Sequence, residues 1–134
     1  MKVQHVPLEW VPAVWPKVQP FIAAALEHSK GDYTVEHAQA YVTTGRWSLI
    51  VAADGETIHG AASVEFFNRP SDRVAFITAI GGKLVSSQES VDQLKALMMS
   101  MGATTIEGAA RESIARLWSR FGFEEKYRIV GVKL

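Results

Sequence analysis

Few side chains in this sequence could do chemistry, and the ones that are missing narrow the choice first. There is no cysteine, which removes thiolate nucleophiles, thiolate metal sites and disulfides together. His5, His28, His37 and His59 are scattered, with no pair at the i, i+4 spacing by which a helix offers two imidazoles to one zinc ion. No metal site is expected. There is no G-x-S-x-G elbow and no Walker A loop, so hydrolase and nucleotide-phosphate readings lose their usual support. Glu107 ends a predicted strand, a place where α/β folds often hold functional groups. Gly81-Gly82 closes another, and two missing side chains suit either a turn or the close approach of backbone to a ligand. Arg111 reads as a surface or cap residue before an anion ligand. Trp118 shares a helical stripe with Ile114, Leu117 and Phe121 and reads as core packing.

The elements that must position these residues follow from pattern. Lys2 to Val6 suits a short strand, ended by Pro7, which has no amide proton to donate. A helix is clearest over Val18 to Glu27, where Phe21, Ile22, Ala25 and Leu26 recur at helical spacing, and Lys30-Gly31 closes it. Upstream, Pro12, Pro16 and Pro20 interrupt the apolar stretch. Thr34 is a good N-cap for a second helix with Val35, Ala38, Tyr41 and Val42 on one face, ended by Gly45. Trp47 to Ala53 and Thr57 to Phe67 form strands about the hairpin signal Asp54-Gly55. After the turn cluster Asn68 to Asp72, Arg73 to Ile80 reads as a central strand buried on both faces.

Ser86 with Glu89 fits a capping box that opens a helix with Val91, Leu94, Leu97, Met98 and Met101 on its apolar face, ended by Gly102. Thr104 to Glu107 is a short strand, Ser113 to Phe121 a helix, and Glu125 to Leu134 a final strand region. Strand, two helices, three strands, helix, strand, helix, strand makes an α/β or α+β sheet with helices on its faces. No repeat or linker divides the chain, so one domain over 1–134 is expected.

Fourteen basic residues balance fourteen acidic ones, unlike the net positive field most nucleic-acid binders carry, so no nucleic-acid partner is expected. No apolar run reaches the ~18 to 20 residues that cross a bilayer, and the N-terminus lacks the basic-then-apolar order of a signal peptide. With the lack of cysteine, this reads as a cytoplasmic protein without a membrane partner.

The element order, together with TTIEGAARESIARLWSRFGFEEKYRIVGVKL, resembles the GNAT superfamily of acetyl-CoA-dependent N-acetyltransferases. The segment SIARLWSRFGFEE looks like the last helix of that fold running into its final strands. More narrowly, ITAIGG and EGAARESIARLWSRFGF are similar to small GNAT-like proteins of tailed phages and prophages. The resemblance implies a GNAT-like α/β (α+β) fold, with a mixed sheet of about six to seven strands and about four helices. It implies acetyl-CoA as cosubstrate and a small-molecule or protein amine as acceptor. The alternative it carries is a non-catalytic structural or interaction protein with partners in phage assembly, in the host cytoplasm or the virion.

In the family the strand matching Arg73 to Ile80 splays from the one matching Thr104 to Glu107, and the coenzyme's pantetheine arm pairs with the exposed backbone. The next helix's N-terminus then holds the pyrophosphate. The implied coenzyme residues here are Ile80, Gly81, Gly82, Ser86 and Ser87, with Arg111 at the position of an Asn ahead of the last helix. Where the family has spaced glycines this chain reads GGKLVSS, and Leu84 and Val85 are expected to put bulk where the loop's amides would converge. Trp118 stands at the place of a proton-donating Tyr and, with one N–H, can orient a sulfur or carbonyl but not deliver a proton. Tyr127 is the implied substitute acid, and Glu107 or the hairpin residue Glu65 the implied base, acting through water.

Overall fold

The structure is a computed structural model that describes residues 1–29 and 31–134; Lys30, half of the expected helix-closing pair, lies outside the described residues. Five strands form one sheet in the order β1-β2-β3-β4-β5: Lys2–His5, Ser48–Asp54, Thr57–Asn68, Arg73–Gly82 and Thr105–Gly108. The first three pairings are antiparallel and the last is parallel. Helices α1 (Val11–Leu26) and α2 (Val35–Thr43) pack on one face around Trp15, Ile22, Trp47, Leu49 and Val51. Helices α3 (Gln88–Ser100) and α4 (Glu112–Ser119) cover the other around Ile50, Val64, Ile77, Leu94 and Trp118. Trp47, Ile22, Leu49, Ile50, Leu84 and Leu94 are fully buried, each contributing roughly 1.5 to 3 kcal/mol of transfer free energy. The α/β sheet with helices on its faces expected from the element order is the one observed, and it is mixed, as the resemblance implied.

Three boundaries differ from the sequence reading. Helix α1 runs from Val11, well upstream of its clearest stretch at Val18, and carries Pro16 and Pro20 inside it. Pro12, Pro16 and Pro20 are spaced by four and all exposed, so the carbonyls left unbonded at Pro12 and Pro16 lie on the solvent side, where water satisfies them. The opposite stripe, Val11, Trp15, Val18, Ile22 and Leu26, is buried and holds the helix to the sheet.

The capping box of α3 is one residue later than expected. Ser87 is the N-cap and its hydroxyl accepts from the amide of Ser90, while the hydroxyl of Ser86 donates to the carbonyl of Lys83 and closes the preceding turn.

Residues 125–134 do not form a strand, so among the described residues the sheet has five strands and not six or seven. The β-rich composition is there, but a strand also needs a neighbour to bond. Among the described residues, 124–134 make no backbone hydrogen bond.

Candidate functional site

Where β4 parts from β5, the sheet opens. Parallel pairing runs only from Val74 with Thr105 to Ile77 with Gly108, yet β4 continues to Gly82, still paired on its other side to β3. The split coincides with a β-bulge: Val64 faces Ile77 but Ser63 faces Ala79, so Thr78 is the extra residue. Side chains pin it. The Thr78 hydroxyl donates to the Ser63 carbonyl at 3.0 Å and lies 2.7 Å from the Ser63 hydroxyl. Bulges free ladder groups and redirect side chains, commonly beside functional sites. From Thr78 to Gly82, β4 therefore offers a backbone edge with no partner strand among the described residues, able to take an extended amide-bearing ligand as an added strand.

Gly81 and Gly82 lie at the far end of that edge, and their lack of side chains is taken up by the protein itself. A Cβ on Gly81 would sit 2.5 Å from the Phe21 carbonyl oxygen of α1. One on Gly82 would sit 2.4 Å from the His59 carbonyl oxygen, and Gly82 also holds a φ of +71°. Gly60 on β3 completes the crossing, with the amides of Lys83 and Leu84 2.9 and 2.8 Å from its Cβ position. These glycines thus let α1, β3 and the loop after β4 approach one another.

The loop itself corrects the sequence picture. Leu84 and Val85 are buried in the core beside α3, so their bulk points inward and does not fill the space before the helix. The N-terminus of α3 is instead partly occupied by hydroxyls. The Ser90 hydroxyl accepts from the amides of Ser86 and Ser87 at 3.4 and 3.3 Å, and exposed Glu89 adds negative charge in the first turn. The amides of Gln88 and Glu89 remain as the helix's free donors. Arg111 is exposed and serves as N-cap of α4 through its carbonyl, which accepts from Ile114 and Ala115.

Trp118 is 6% exposed, 5.3 Å from the Phe123 ring between centroids, and packs over Gly108, whose Cβ position would lie 3.2 Å from the indole. It thus wedges beside the last paired residue of β5. Glu107 is buried, opposite Phe76 in the register, and bonds to Arg69 from the β3–β4 turn and, at 2.8 Å, to Lys126. The Arg69 guanidinium holds its carboxyl below the ordinary range against the opposing effect of burial, with Lys126 adding to the same direction. Such a carboxylate stays ionised and is a weak proton acceptor. Tyr127 is exposed in the tail. Glu65 accepts from the Trp47 indole at 3.1 Å and sits one register position from the residue before the bulge. Of the residues named from sequence, Ile80, Gly81 and Gly82 share the open edge and Ser86 and Ser87 follow it, while Glu107 belongs to a separate ion cluster with Arg69 and Lys126.

The bulge at Thr78 and the partners of Glu107 were missed. Nothing in the local pattern of ITAIGG marks a bulge, and Arg69 in the N-R-P-S-D cluster signals only a turn.

The Glu107 cluster yields a pH test. Because the folded carboxyl titrates below the unfolded one, its stabilisation is complete above about pH 4.3 and is lost as pH falls through the folded value. Glu107→Gln is expected to cost about 1–2 kcal/mol at neutral pH, with its stability converging on the parent's in acid. Urea unfolding at several pH values measures this, and a gap independent of pH would contradict it.

No family model matches the sequence, and no curated protein matches it. Solved structures do match in shape. A probable acetyltransferase superposes with a TM-score of 0.68 at 14% identity, covering 100% of this chain and 97% of the other. An aminoglycoside acetyltransferase from an uncultured soil metagenomic sample, in complex with sisomicin, gives 0.70 at 14%, covering 99% and 95%. A transcriptional regulator from Bacillus halodurans C-125 gives 0.69 at 14%, covering 99% of each. At these identities the likeness is one of architecture, and with the splayed β4–β5 pair it gives this chain a GNAT-like fold.

Proposed function

We propose that this protein binds an acyl-CoA thioester, acetyl-CoA first among them, along the open edge of β4 and transfers the acyl group to an amine. The observation that carries this reading is the coincidence of three features at one point: the end of β4–β5 pairing, the bulge at Thr78 and the unpartnered backbone that runs on to Gly82. The pantetheine amides would bond to that edge, leaving the thioester carbonyl beside the bulge, where backbone N–H groups polarise it. The neutral amine attacks the carbonyl carbon, a C–N bond forms and the C–S bond breaks, the nitrogen gives up its second proton to solvent water and the thiolate takes one up from it. Glu65 is the carboxylate nearest in register to the bulge, and through water it takes the proton the ammonium must lose. Rate acceleration comes chiefly from placing amine and thioester together, a contribution that reaches roughly 7–11 kcal/mol when alignment is good. The acceptor amine belongs to a small molecule or a protein.

A second reading, a non-catalytic interaction protein of the kind used in particle assembly, is favoured by one observation. The Ser90 hydroxyl takes two of the amides that would otherwise meet a pyrophosphate. Calorimetric titration with acetyl-CoA separates the two. Saturable binding in the micromolar range, with desulfo-CoA competing, is expected, and a flat response at millimolar coenzyme would leave only the second reading.

A further inference from the structure

Apolar surface is left uncovered on both faces of the sheet. On the α3 side it is the groove beside Met99 and Phe123. On the α1 side it is a pair of phenylalanine rings. Residues opposite one another in register stand side by side on one face, so Trp47 just ahead of β2, Glu65, Phe76 and Glu107 form a row across the sheet, with Phe67 two residues further along β3. Trp47 is buried in the core beneath α1 and α2. Beyond it the row emerges, with Glu65, Phe67 and Phe76 only half-buried, and neither phenylalanine packs into either core. Their ring centroids lie 6.1 Å apart. Charge differs along the row. At the β5 end two cations, Arg69 and Lys126, share Glu107, and Arg69 also lies over the Phe67 ring at 5.2 Å. At the other end Glu65 accepts from the Trp47 indole and, among the described residues, pairs with no cation. Tyr33 packs edge-on against Trp47, and burial, then the charge of Glu65, push its phenol up, so a neutral hydroxyl stands in the field of that carboxylate. A half-buried carboxylate among aromatic rings attracts a cation through both the ion pair and the ring faces.

We propose that this row seats the acceptor, and that the acceptor is a primary amine with a single positive charge on a compact apolar body, an arylalkyl or alkyl monoamine. Its ammonium pairs with Glu65 and its body lies over Phe76 against the edge of Phe67. A second positive charge along the row would meet Arg69 and Lys126, so polyamines are disfavoured. The inference rests on the acyl-transfer reading for the fate of the amine, but not for its binding. Phe76 is two residues, about 7 Å, from the bulge at Thr78, so an amine held at Glu65 lies about one side-chain length from a thioester placed there.

Titration without coenzyme tests the seat, by calorimetry and by the Trp47 indole N–H resonance, since that group donates to Glu65. 2-Phenylethylamine should bind saturably and shift the indole resonance. 2-Phenylethanol, of the same shape without the charge, and spermidine, with several charges, should each bind at least about 10-fold more weakly. Glu65→Gln, which can still accept from the indole, should lower the affinity for 2-phenylethylamine about 10-fold or more, and Phe76→Leu should lower it about 2- to 5-fold. An indole resonance unmoved by millimolar 2-phenylethylamine would overturn the proposal. So would equal binding of the alcohol, spermidine as the tighter ligand, or a Glu65→Gln variant of parental affinity. Amine binding without any response to acetyl-CoA would remove the transfer reading and leave this seat standing, whereas acetyl-CoA binding without amine binding would overturn the seat alone.

Discussion

Trp118→Ala is expected to destabilise the protein by about 3–5 kcal/mol, as deletion of a buried indole leaves a cavity that the surroundings fill only in part. Trp118 is the largest buried side chain contributed by α4, whose other apolar residues are only partly covered. Its ring touches Gly108 on β5 and pairs with Phe123, so its loss also frees the junction at which β4 and β5 part. Trp118→Phe should cost less than half as much and leave coenzyme binding intact, because the site described here uses the β4 backbone and asks nothing of the indole N–H. Thermal and urea unfolding measure the first effect. A Phe variant that folds normally yet loses acetyl-CoA would mean the indole contacts the ligand.

The next largest effect is expected from a single added methyl group. Gly81→Ala places a Cβ against the backbone of α1, 2.5 Å from the Phe21 carbonyl oxygen and 3.1 Å from its carbon. Neither atom is the end of a flexible side chain. The whole helix must retreat by on the order of half an ångström or more, so a cost of about 3 kcal/mol, the upper part of the range for overpacking, is expected. In a domain of this size that lowers Tm by roughly 10 °C. An unchanged Tm would mean that α1 is not seated on β4 as described, and the open edge would then lack its rear wall.

Much of this architecture was legible in the residues. The β2–β3 hairpin announced itself through Asp54-Gly55, and Gly55 does adopt a positive φ of 57° between the strands. Helix α2 begins where Thr34 foretold, although its capping partner is His37, whose Nδ1 accepts from the Thr34 amide. Other features failed for identifiable reasons. Proline is read as a helix breaker, but the count of prolines carries no information about which face they occupy, and in α1 that face is the solvent. The capping box was read from Ser86 and Glu89, but the Ser86 hydroxyl is engaged with Lys83 and Ser87 is the N-cap.

Pairing across the sheet was harder still. The β-rich composition of 125–134 pointed to a strand, but a strand also needs a neighbour to bond, and among the described residues these have none. The candidate site was legible only as a region. Gly81-Gly82 drew attention to the end of β4 that continues past its pairing with β5, and the reason for glycine there includes packing on α1. The bulge at Thr78 depends on one extra residue in a register set by Ser63 and Ala79, a relation between strands that local spacing does not encode. Glu107 looked like a strand-end acid available for chemistry, whereas its two cations, supplied from the β3–β4 turn and the tail, engage it in an ion cluster.

The most direct test of the open β4 edge is a titration of isotope-labelled protein with acetyl-CoA, followed through its backbone amide resonances. The account predicts saturable shifts concentrated at Thr78 to Gly82 and continuing into Ser86 and Ser87, with β1 and β2 unmoved. Unmoved β4 amides at millimolar acetyl-CoA, or shifts confined to the groove beside Met99 and Phe123, would contradict it.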